Sequence, residues 1–138
     1  MAPLALVAIV AAAISCGGCG GDIKPDELSR SIDTLISSAS EGRLLAQGVA
    51  EDRTKATFVR VRARELTELT DHEGEKLDDA SSTAALAPDK RAAVALSGRI
   101  STALGELQTS PTDPAVAERA EHELGRLASR GERIQGSL

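Results

Sequence analysis

The chain has 138 residues, 41% hydrophobic and 27% charged, with a formal net charge of −5, a balance that fits one small folded domain and excludes wholesale disorder. Phe58 is the single aromatic residue, so a core must come from Ala, Leu, Ile and Val on closely packed helices. The acidic balance, with no charged side chain before Asp22, excludes nucleic acid as a general partner.

An uncharged apolar run from Leu4 to Ile14 leads into Ser15, Cys16 and the Gly-rich stretch 17–21. A run of roughly 7 to 15 residues suits the core of a signal peptide and falls short of the roughly 20 that span a bilayer. Ala13-Ile14-Ser15-Cys16 resembles the lipobox of bacterial lipoproteins, with Ala13 where that motif usually carries Leu. The resemblance implies that Cys16 is diacylated on sulfur, that the leader is removed and that the new amino terminus is acylated. Residues 1–15 are then the signal peptide, 16–24 the lipidated Cys and its tether, and 25–138 a helical domain. Ordinary secretion and an uncleaved anchor are the alternatives. Cys16-Gly17-Gly18-Cys19 is formally a C-x-x-C, but no strand precedes it and Gly20-Gly21 follows, so the helix N-terminus that activates a redox thiol is missing.

The first helix is expected from Pro25-Asp26-Glu27, where Pro fits the first turn and two carboxylates meet the positive end of the dipole. Leu28, Ile32, Leu35, Ala39, Ala46 and Val49 form its seam. A heptad continued past Glu51 would put Arg53 and Arg60 in that seam, so a turn is expected near Asp52 to Thr54. The alternative, one helix from Asp26 to Ala80, would be roughly 80 Å long. A second helix follows from Lys55 to Ala80, with Phe58, Val59, Leu66, Leu69 and Leu77 on a broad apolar arc. After a small-residue loop from Ser81 to Ala87, Pro88-Asp89 opens a third helix with the seam Ala93, Leu96, Ile100, Ala103 and Leu107. Asp113-Pro114 reads as an N-cap with Pro at the first position of a fourth, whose seam is Ala117, Ala120, Leu124, Leu127 and Ile134. Period-two alternation is absent. The fold class expected is all-α, a small antiparallel up-down bundle of about four helices.

His72 and His122 each follow a Glu by four residues, Glu68 and Glu118, so each pair can meet on a helix face. Asp71-His72, taken with Ser40-Glu41-Gly42, resembles exported ferritin-like bundles, which implies metal or small-ligand binding. Their di-metal sites use Glu-x-x-His at three-residue spacing, with all ligands pointing inward. His72 and His122 instead fall about 120° and 160° from the seam residues Leu66 and Leu124 and are expected to face water, holding no metal. Arg53, Arg60 and Arg64 form a positive stripe suited to anionic headgroups or an acidic partner, although Glu65, Glu68, Asp71, Glu73 and Glu75 follow immediately. Arg62 projects between Phe58, Leu66 and Leu69, and its guanidinium is expected to find Asp33 or Glu41.

No nucleophile elbow, phosphate loop or H-E-x-x-H motif is present. The residues point to a non-enzymatic lipoprotein on the extracytoplasmic side of the cell membrane. Its partners would be membrane lipid through Cys16 and an envelope protein, with no cofactor and no identifiable small-molecule substrate.

Overall fold

The computed structural model describes residues 21–138, and the candidate signal peptide, Cys16 and Cys19 lie outside them. Four helices make up the described chain: α1 (Pro25–Ala50), α2 (Ala56–Asp79), α3 (Ala87–Thr109) and α4 (Pro114–Gln135). Their starts follow the local chemistry. Pro25 opens α1, and the Glu27 carboxylate accepts a hydrogen bond from the Lys24 backbone N–H at 3.1 Å. Asp113 caps α4, its Oδ1 accepting from the N–H groups of Ala115 at 2.9 Å and Val116 at 3.2 Å, donors that have no partner within the helix.

The turn that separates α1 from α2 is a Schellman closure. Asp52 takes the left-handed conformation at φ 52°, its N–H donates to the Val49 carbonyl, and the Arg53 N–H donates to Gly48 at 2.8 Å. Asp tolerates that conformation better than most residues, which lets the helix stop without glycine. At the other end of α2, the Lys90 ammonium donates to the carbonyl oxygens of Asp78 and Ala80 at 3.0 and 2.7 Å. A cation thus meets the negative end of the helix dipole.

Successive helices run antiparallel, and α1 packs most extensively on α4 and α2 on α3. α1 also touches α3 across the bundle, whereas α2 and α4 lie apart on the other diagonal. Glycines mark the tight approaches. A Cβ on Gly42 of α1 would stand 2.6 Å from Leu104 Cδ2 of α3 and 3.1 Å from Leu124 Cδ1 of α4, and one on Gly74 of α2 would collide with the Ser97 side chain of α3. One continuous core runs the length of the bundle, with Leu28, Ile32, Leu35, Leu96, Ile100, Leu104, Leu107, Leu124 and Leu127 fully buried. Close packing of small and aliphatic side chains replaces aromatic volume.

Two expectations need correction. Phe58 and Leu69 are exposed, not part of the core arc of α2. The buried residues Val59, Ala63, Leu66, Thr70, Gly74 and Leu77 span only about 80° of the helix circumference, and the two missing residues sit outside that sector. Ile23, expected in the tether, is buried, and its N–H donates to the Ser81 carbonyl at 2.8 Å. The chain therefore joins the bundle beside the α2–α3 loop, two residues before α1 begins.

Candidate functional site

Arg62, on the α1-facing side of α2, donates from Nε to Glu41 of α1 at 2.5 Å and from Nη1 to Glu65 at 2.8 Å. The guanidinium hydrogen bond holds the Glu41 carboxyl below its ordinary value, against a smaller opposing effect of burial. Of the two partners expected, Glu41 is taken. Asp33 instead accepts from Gln135 of α4 at 2.6 Å. Deeper along the same α1–α2 seam, Lys76 donates to Ser31 at 3.3 Å. Polar bridges, rather than a wide apolar contact, join α1 to α2.

The basic stripe is mostly engaged within the chain. Arg53 pairs with Glu51, and Arg64 donates to Glu68 at 2.7 Å, which raises the Arg64 pKa. Arg60 has no carboxylate within pairing distance among the described residues.

Both histidines are exposed, as the seam geometry requires. Glu68, the expected helical partner of His72, is held by Arg64. No group of three or more His, Cys, Asp or Glu side chains converges among the described residues. His122 borders a shallow groove between α3 and α4 together with Arg99, Arg119, Glu123 and Arg126. The Glu123 carboxylate accepts from both Arg99 and Arg126, so two of the three guanidinium groups share one carboxylate partner within the chain. The groove offers weak, solvent-screened attraction for an anion rather than a desolvated binding pocket.

The feature that pattern reading missed is the outer face of α2, where Phe58, Val61 and Leu69 stand in solvent. The signal was present as a second apolar series at spacings of three and eight, offset from the core series by more than a turn's tolerance. Counting both series as one broad arc concealed it. No helix among the described residues is long and apolar enough to cross a membrane. Comparison with protein-family models, with curated proteins and with solved structures gave no match. The fold defines the class, an antiparallel up-down four-helix bundle.

Proposed function

We propose that this protein is a lipid-anchored, extracytoplasmic bundle that acts without catalysis, presenting its helical surface to a partner at the cell envelope. The observation that carries the reading is the apolar run from Leu4 to Ile14 placed directly before Ser15-Cys16. Acylation of Cys16 would hold the bundle through the short stretch from Gly17 to Asp22, roughly 20 Å when fully extended. Among the described residues the core runs from Ile23 to Ile134, all of it on the C-terminal side of Cys16. A single lipid chain holds only marginally, whereas diacylglycerol plus an N-acyl chain anchors stably.

Mass spectrometry of the protein taken from its native membrane tests this. The expected mature chain begins at Cys16 and carries acyl groups, and Cys16→Ser should accumulate as the uncut precursor. A mature terminus elsewhere, with a free Cys16 thiol, overturns the reading. The metal-binding alternative has no convergent ligand set among the described residues to favour it.

A further inference from the structure

The outer face of α2 carries Phe58, Val61, Glu65, Leu69 and His72 at spacings of three, four, four and three, a single stripe about 80° wide. Isolated exposed apolar residues need no explanation. Here Phe58 is 58% exposed, Val61 54% and Leu69 44%, and the first is the only aromatic residue of the chain. Leu44 of α1, one turn from the Glu41 that bonds Arg62, is 66% exposed as well. A bundle that fills its core without an aromatic ring has its one ring in water.

Charge along α2 narrows what can cover this stripe. From Ala56 to Arg64 the helix carries three arginines and no acidic residue, whereas from Glu65 to Asp79 it carries seven acidic residues and one lysine. The apolar stripe crosses that boundary. A uniformly anionic surface would attract the first half and repel the second, so the complementary occupant must present both signs in the reverse order. An antiparallel second copy of α2 does so.

The flank supports the same pairing. Arg60, Arg64, Glu68, Asp71 and Glu75 lie along one side of the stripe, within about 80° of one another. In an antiparallel helix pair related by a two-fold axis, like flanks meet in opposite directions. Arg60 and Arg64 of one copy then face Asp71 and Glu68 of the other, while a parallel pair would set basic half against basic half. About a two-fold centred at Glu65, Val61 falls opposite Leu69 and Phe58 opposite His72. The Glu65 charge at that centre is compensated within its own chain by Arg62 at 2.8 Å.

We propose that the outer face of α2 is a self-association surface, docking antiparallel on the same face of a second copy of this chain. The proposal does not depend on the lipid anchor. The seam from Phe58 to His72 is about 21 Å long, shorter than a standard interface of about 800 Å² per partner needs, so the dimer forms and dissociates with concentration.

Light scattering on the full chain in a mild non-ionic detergent, across a concentration series, tests it. The protein mass should rise from one chain to two, and added salt should shift the rise to higher concentration. Arg60→Glu with Arg64→Glu, and separately Glu68→Arg with Asp71→Arg, should each leave a monomer with unchanged helical circular dichroism. An equimolar mixture of those two variants should regain the dimer. Phe58→Ser should weaken association about tenfold or more, because the ring is the largest apolar side chain of the stripe and aromatic anchors carry a large share of interface energy. A wild-type mass of one chain throughout, or a mixture that stays monomeric, overturns the proposal. So does binding of wild type to phosphatidylglycerol vesicles that the Arg60 and Arg64 reversals abolish in a chain that never self-associates.

Discussion

Leu124 and His122 are two residues apart on α4 and occupy opposite environments, the first with no solvent exposure and the second exposed. Leu124→Ala removes a side chain that packs toward Gly42 and should cost about 2 to 5 kcal/mol, a large share of the roughly 5 to 15 kcal/mol of a domain this size. His122→Ala should stay within about 0.5 kcal/mol. Urea melts of the two variants check this, and equal losses would mean that α4 presents a different face to the core. The Arg62–Glu41 bridge gives a second expectation. Glu41 has a lowered pKa in the folded protein, so its contribution to stability is present above the unfolded-state value and is lost as pH falls through the folded one. Arg62→Leu should return the Glu41 pKa, read by NMR titration, to the ordinary carboxylate range and flatten stability against pH in the acid range. The loss at neutral pH should not exceed about 1 kcal/mol, because both side chains are more than one-third exposed. An unchanged Glu41 titration in that variant would show that something other than the guanidinium sets it.

At the scale of the helices, α2 and α3 approach closely because Gly74 faces Ser97 and Thr70 is buried with its hydroxyl donating to the Leu66 carbonyl at 2.7 Å. Alanine favours a helix over glycine by about 1 kcal/mol, and at Gly98, where an added Cβ meets nothing within 4 Å, Gly98→Ala should raise stability by about 0.5 to 1 kcal/mol. At Gly74 the added methyl would meet not only the Ser97 hydroxyl but its Cβ, at 3.1 Å, an atom fixed to the backbone. Gly74→Ala should therefore destabilise by about 1 to 3 kcal/mol despite the better propensity. Opposite signs in thermal melts of the two variants are the expected result, and a stabilising Gly74→Ala would show that α2 and α3 can separate at no cost.

The molecule has one core, in which α1 contacts all three other helices. Cooperative unfolding follows, because neither the α1–α4 pair nor the α2–α3 pair buries its apolar face without the other. Residues 22–138 produced alone should give a wholly helical circular dichroism spectrum and one urea transition that coincides by circular dichroism and by hydrogen exchange of core amides. Two separated transitions would mean that the helix pairs are independent units.

The sequence by itself determined the helices and most of their seams. Pro25, Pro88 and Asp113-Pro114 act within one turn of chain, and the spacing of Leu and Ile reports a single face directly, so four helices and the break near Asp52 were legible without a partner in view. Cys16 and the run before it were likewise legible only as sequence. Tertiary structure decided which of two apolar series on α2 entered the core. Helix periodicity says that Phe58 and Leu69 share a face but not whether another helix covers it, and here α1 is held to α2 by polar bridges while α4 lies across the diagonal. It also decided that Arg62 takes Glu41 and not Asp33, and that Ile23 belongs to the core, because register between helices depends on side chains far apart in sequence. Local rules fix what a segment becomes, but only packing fixes which face of it remains in water.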